Sequence, residues 1–187
     1  MPAILTTPPA VEPVTLTEVK AHLRLGLSDE DDAITRMIVS ARRYLEQQTG
    51  LVFITQGWSC FRDAWPEAGE VKLPVGPVQS LGDVKVLGED DVAAVIDPAH
   101  YFLDSASRPA RLVLRASRIW PPPGRAGNGI EIEVTAGFGA TASAMPQPLR
   151  EALLQLVAHW YGHRGDESVR LPLTVESIVA EYREVRL

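Results

Sequence analysis

The sequence contains one cysteine, Cys60, and no run of 18 or more apolar residues. A single cysteine cannot form an intrachain disulfide or a cysteine-based zinc site, and this favours a reducing compartment such as the bacterial cytoplasm. Without a long apolar run, no membrane-spanning helix is predicted. The net charge of −6 lacks the positive excess that a broad nucleic-acid-coating surface requires. The hydrophobic share of 45% is nevertheless that of a globular protein with a real core.

Two helix patterns follow an extended N-terminal arm at residues 1–14, which prolines interrupt. Thr15 and Glu18 have the spacing of a capping box, which predicts that the first helix begins there. Ser28 is the predicted N-cap of the second helix, because acidic residues follow it where the helix dipole favours negative charge. The apolar positions then repeat at helical spacing up to Gly50, a typical C-terminal glycine (Ile34, Met37, Ile38, Ala41, Leu45).

Residues 51–138 have a pattern typical of strands and turns, in which short runs of alternating apolar and polar residues are separated by Gly, Pro and Asp. In GIEIEVTAG, alternation predicts a strand that buries one face (Ile130, Ile132, Val134) and exposes the other (Glu131, Glu133, Thr135). The single cysteine lies in another such run, where it is predicted to be a packed small residue and not a reactive thiolate.

Helical patterns return near the C-terminus. Pro148 is predicted at the first helical position, where its missing N–H costs nothing. After Pro172, a short amphipathic helix is predicted, and its apolar stripe is expected to be cut off from the core by Gly165 and Pro172 (Val175, Ile178, Val179, Tyr182). The predicted fold class is α+β in one domain, 1–187: a mainly helical core, made of an N-terminal helix pair and C-terminal helices, with a β-rich insertion at 51–138.

The main candidate for chemistry is a histidine pair, His159 and His163, at the i, i+4 spacing that presents two imidazoles to one metal ion. A metal-dependent hydrolase also needs a third ligand and usually a general base. Asp166 and Glu167 lie beyond a glycine and do not supply these by spacing. The alternative interpretation is a helix C-terminus, where positive charge is favoured. The hydrolase remains a second hypothesis.

A local arginine cluster is the other candidate (Arg108, Arg111, Arg115, Arg118, Arg125). It would suit a nucleic-acid-binding module, a third hypothesis. Because Arg111 and Arg115 share a strand face, they are alternatively predicted to pair with Glu131 and Glu133 across a sheet. Neither a phosphate-binding loop nor a nucleophile motif is complete anywhere in the sequence. The search for chemistry therefore favours a structural or binding protein without catalytic, metal or cofactor residues.

The order of motifs resembles a known family. The pieces are PVTLTEVKAHLRL, DEDDAITRMIVSARRYLEQQTG, LPVGPVQSLGDVKV, YFLDSASRPARLVL, IEVTAGFG, PQPLREALLQLVAHWYGHR and LPLTVESIVAEYR. Together, over residues 13–183, they resemble the gp6-like head–tail connector (adaptor) proteins of tailed bacteriophages, prophages and gene transfer agents.

The resemblance implies a structural adaptor subunit without catalysis or cofactor, located in the neck of a phage-like particle. Such subunits form a ring, dodecameric in the particle, between the portal protein and a tail-side neck or stopper protein, and DNA passes through its lumen. The helices at 29–49 and 148–164 would form the family's core. Residues 166–187 would be a docking segment, with the stripe Val175, Ile178, Val179 and Tyr182 as the portal or subunit interface.

Overall fold

The computed structural model describes residues 1–26, 28–164 and 170–183 of the chain. They form two compact units: a β-rich unit of Met1–Pro8 and Thr55–Gly137, and a helical unit of Pro9–Ile54 and the described residues from Phe138 to Arg183. The α+β class is confirmed, because the described residues contain both helices and antiparallel sheets. None of the helices in these ranges has the length and apolar character needed to cross a bilayer.

The described part of the helical unit has four α-helices: α1 (Leu16–Leu23), α2 (Asp31–Thr49), α3 (Gln147–Gly162) and α4 (Leu173–Tyr182). Their apolar faces share one core, to which every helix contributes buried side chains (Val19, Ile34, Leu45, Leu153, Val175). Segments distant in the sequence therefore meet here, and the helices before and after the strands depend on each other for burial.

The helix ends follow the predicted capping chemistry with two differences. Thr15 and Glu18 form the reciprocal capping box, and Gly50 closes α2 in the left-handed conformation with φ 77°. However, α2 begins at Asp31, not directly after Ser28, because Asp31 N–H donates to the Ser28 carbonyl oxygen in a preceding turn. The third helix begins at Gln147, so that Pro148 occupies its second position.

The first 14 residues, predicted as an extended arm, divide between the two units. Ala3–Thr7 is a strand, β1, of the β-rich unit. Residues 9–14 belong to the helical unit, where Val14 is buried and the Glu12 carboxylate accepts from the Arg42 guanidinium at 2.8 Å. The same guanidinium pairs with Glu46 of α2 at 2.8 Å, so the arginine ties the segment to this helix.

The β-rich unit contains two antiparallel sheets in its described residues. Seven further strands follow β1: β2 (Gln56–Arg62), β3 (Glu70–Lys72), β4 (Val78–Leu87), β5 (Ala93–Val95), β6 (Tyr101–Asp104), β7 (Arg111–Leu114) and β8 (Ile130–Ala136). The larger sheet has the order β1-β2-β8-β4-β5, and the smaller has the order β3-β7-β6.

Strand β8 is central in the larger sheet and confirms the predicted alternation. Its apolar residues Ile130, Ile132 and Val134 are buried, whereas the polar residues between them are partly exposed. Ile132 lies opposite Cys60 on one side and Val84 on the other, both fully buried. Burial also raises the pKa of the Cys60 thiol to about 12, as expected of a packed and unreactive residue.

Candidate interaction surfaces

The histidine pair lies at the end of α3. The imidazole rings of His159 and His163 are 4.5 Å apart between centroids, and His163 Nδ1 lies 2.9 Å from the His159 carbonyl oxygen. His163 is the residue that ends the helix. Within residues 1–26, 28–164 and 170–183, no three side chains of the metal-binding types converge, whereas Asp166 and Glu167 lie outside these ranges. The geometry is that of a helix end, and nothing in it supports the hydrolase.

The arginine cluster does not act as one surface. Arg111 of β7 pairs with Glu70 at 2.7 Å and with Asp104 at 2.6 Å, while Arg125 pairs with Asp91 at 3.2 Å. Hydrogen bonds from Ser107 and Arg111 lower the pKa of the Asp104 carboxyl to about 2. Part of the positive charge is therefore used inside the β-rich unit.

The predicted pairing of Arg111 and Arg115 with Glu131 and Glu133 is wrong. Strands β7 and β8 belong to different sheets, so these side chains are not cross-strand neighbours. Lys85 of the adjacent strand β4 pairs with both glutamates instead, and its hydrogen bond lowers the pKa of the Glu133 carboxyl. The sequence shows which residues carry charge, but the sheet order decides which charges meet.

Helix α4 carries the predicted portal or subunit interface. Val175 is fully buried and Val179 nearly so in the core of the helical unit, and Ile178 and Tyr182 pack partly against the same core. The expectation that this stripe is cut off from the core is therefore wrong, because the stripe faces α2 and α3. Only residues 170–183 of the predicted docking segment 166–187 are described.

The outer face of α4 is accessible in the single chain. Leu173 in its first turn is 79% exposed, and Glu176 and Glu181 are exposed too. A large apolar side chain with this exposure is a candidate contact residue. The sequence pattern missed Leu173, because periodicity identifies the buried stripe and gives no signal for an isolated apolar residue outside it.

A second accessible region, which we call the basic patch, lies on the β-rich unit and consists of Phe102, Arg115, Arg118 and Ile119. All four residues are exposed, Ile119 by 86%. The Arg115 guanidinium lies over the Phe102 ring, 5.4 Å from its centroid. Arginine and aromatic residues together are typical of protein interfaces.

A third region, which we call the acidic patch, surrounds the turn between β4 and β5 and consists of Glu89, Asp90, Val92 and Val95. All four are exposed, with Val92 at 63% and Val95 at 56%. Strand β5 is an edge of the larger sheet, and each of its three residues is exposed. An uncovered edge strand with valines is a site where proteins associate.

Comparison with known proteins gives one family and a set of related structures. Residues 13–87 match the sequence profile of the phage gp6-like head–tail connector proteins. Comparison with curated protein sequences gives no significant match. The whole chain is similar to a subunit of the virion of the native gene transfer agent particle, with 26% identity, a TM-score of 0.86 and coverage of 100% of this chain and 97% of that one.

Two neck structures of gene transfer agent particles show the same likeness. A chain in the neck of the empty particle, computed with C6 symmetry, is 27% identical with a TM-score of 0.85, covering 100% of this chain and 97% of that chain. A chain in the neck of the native particle, computed with C12 symmetry, is 28% identical with a TM-score of 0.78, covering 98% and 97%. The profile match covers residues 13–87, and the likeness to the virion and neck structures covers 98–100% of the chain.

Proposed function

We propose that the protein is a structural adaptor subunit that forms a ring in the neck of a phage-like particle. The ring is a dodecamer between the portal protein and a tail-side neck or stopper protein, and DNA passes through its lumen. The observation that carries this proposal is the likeness of nearly the whole chain to a neck subunit from a particle computed with C12 symmetry.

The chemistry of the chain supports a role without catalysis. The described residues bring no third metal ligand to the histidine pair, and the single thiol is buried with a raised pKa. The net charge of −6 suits a conduit, because a ring that gripped phosphates strongly would slow DNA passage. DNA recognition in the lumen is therefore expected to be independent of sequence.

We assign the predicted portal contact to α4, with different roles along the helix. Val175 and Val179 hold α4 on the helical core, since both are buried there. Ile178 and Tyr182 lie at the edge of that buried stripe and Leu173 projects outside it, so these three residues would contact the portal or a neighbouring subunit. The mode resembles helix-in-groove recognition, in which a few apolar anchors carry the affinity.

The proposal is tested by measuring the mass of the purified protein with and without portal protein. We expect a complex with the portal that contains twelve copies of the chain. Leu173→Glu should weaken portal binding at least about tenfold without loss of helicity, because the side chain is exposed and a charge replaces an apolar contact. The control is Ala21→Glu, an exposed position on α1. Failure of the unmodified chain to bind portal or enter particles would refute the adaptor role, whereas equal binding by both variants would refute only the α4 contact.

A further inference from the structure

We propose that the ring closes through the β-rich unit, with the acidic patch of one copy bound to the basic patch of the next. This inference rests on the proposed function, because it requires a ring of identical subunits. In a closed ring larger than a dimer, each subunit uses two different surfaces, one toward each neighbour. The two patches consist of different residues and carry opposite charge, and each contains exposed apolar side chains.

The basic patch is held by the backbone beneath it. Arg115 N–H donates to the His100 carbonyl oxygen at 2.9 Å, and Arg118 N–H donates to the Arg115 carbonyl oxygen at 2.9 Å. This turn presents both guanidinium groups and the Ile119 side chain on one short segment. No ion pair among the described residues includes Arg115 or Arg118, unlike Arg111 and Arg125. Their charge is therefore available to a neighbour.

The acidic patch is held with similar rigidity. Gly88 N–H donates to the Val92 carbonyl oxygen at 3.0 Å, and Asp90 Oδ1 accepts from Val92 N–H at 3.1 Å. Gly124 N–H donates to Leu87 O at 2.9 Å, and a Cβ at Gly124 would lie only 2.5 Å from Glu89 N. The backbone of the loop at residues 121–129, which begins with three prolines, thus packs directly against the turn and supports it.

Charge complementarity identifies a second copy of the chain as the occupant. Glu89 and Asp90 form no ion pair within the described residues, so one copy offers two carboxylates without a cationic partner where the next offers two guanidinium groups without an anionic one. Opposite charges around an apolar centre fix the register of an interface and disfavour wrong partners. Val92 and Val95 on one side, with Ile119 and Phe102 on the other, supply that centre.

A charge-swap experiment tests the contact in assembled particles. Particles are made with Arg115→Glu/Arg118→Glu, with Glu89→Arg/Asp90→Arg, or with all four changes, and the subunit in purified particles is quantified. Each double variant should lower incorporation at least about tenfold, because like charges then face each other, and the combined variant should restore it. The control is Arg36→Glu/Arg43→Glu, which changes two exposed arginines of α2 and should leave incorporation unchanged.

Cross-linking gives a second readout, in which a contact between subunits produces a new product and not a decrease in incorporation. Asp90→Cys and Arg118→Cys in one chain should yield a ladder of covalent oligomers with a flexible bismaleimide, since the buried Cys60 does not compete. Particles that contain the subunit but give no ladder, or no rescue by the combined variant, overturn this inference and leave the adaptor role intact. Particles that lack the unmodified subunit overturn the adaptor role itself. If Arg115→Glu/Arg118→Glu were incorporated normally but showed weaker salt-dependent DNA binding, the basic patch would instead be a DNA-contacting surface.

Discussion

Replacement of Ile132 by alanine tests the assignment of the buried face of β8. The side chain is fully buried at the centre of the larger sheet, between Cys60 and Val84 in the neighbouring strands. The change removes three carbon atoms, worth about 2.4 kcal/mol at roughly 0.8 kcal/mol per buried methylene. Because both neighbours are fixed by strand pairing, the cavity collapses only partly and adds about 1 kcal/mol. We expect a total loss of about 3–4 kcal/mol in the free energy of unfolding.

The assay is denaturant unfolding followed by tryptophan fluorescence, which reports mainly on the β-rich unit. Trp58, Trp65 and Trp120 lie in that unit, and Trp58 is directly opposite Val134 of β8. The m-value should not change, since the same surface unfolds. Thr135→Ala on the other face of the strand is the control and should cost less than about 1 kcal/mol. If Ile132→Ala and Thr135→Ala lowered the free energy of unfolding equally, the assignment of Ile132 to the buried face of β8 would be refuted.

Three further predictions concern charge and reactivity. In NMR titration Asp104 should titrate near pH 2, and Ser107→Ala and Arg111→Ala should each raise its pKa. Because the pKa of Asp104 in the folded protein lies below the reference value of 3.8, the stabilisation from Asp104 is complete above about pH 4 and is lost as the pH falls toward 2. If neither variant moved the midpoint of the Asp104 titration, the assigned hydrogen bonds would be contradicted. Cys60 should react with thiol reagents at pH 8 only after unfolding, and rapid labelling of the native protein would show that it is accessible. Arg42→Ala should cost about 2–3 kcal/mol in thermal or chemical unfolding, because both Glu12 and Glu46 lose the ion pair with this arginine. Arg36→Ala on the exposed face of α2 should change stability by less than about 0.5 kcal/mol.

Features that depend on neighbours along the chain were predictable from the sequence. The capping box at Thr15 and Glu18 and the glycine end of α2 at Gly50 are local, because a helix end is satisfied by residues three or four positions away. Alternation in β8 is also local, because side chains of a strand point to opposite faces in turn. The resemblance to connector proteins likewise rests on the order of such local motifs, and the profile match covers the first part of it.

Features that depend on distant partners were decided by the tertiary structure. The sequence pattern predicted that Arg111 pairs with Glu131 and Glu133. In the fold, Arg111 pairs with Asp104 and Glu70, whereas Glu133 pairs with Lys85 of the adjacent strand. An amphipathic stripe on α4 shows that one face is covered without showing what covers it, and the fold covers it with the chain's own helices. The acidic and basic patches have no periodic signal, because the exposure of a side chain in a turn depends on which other segments of the fold cover it.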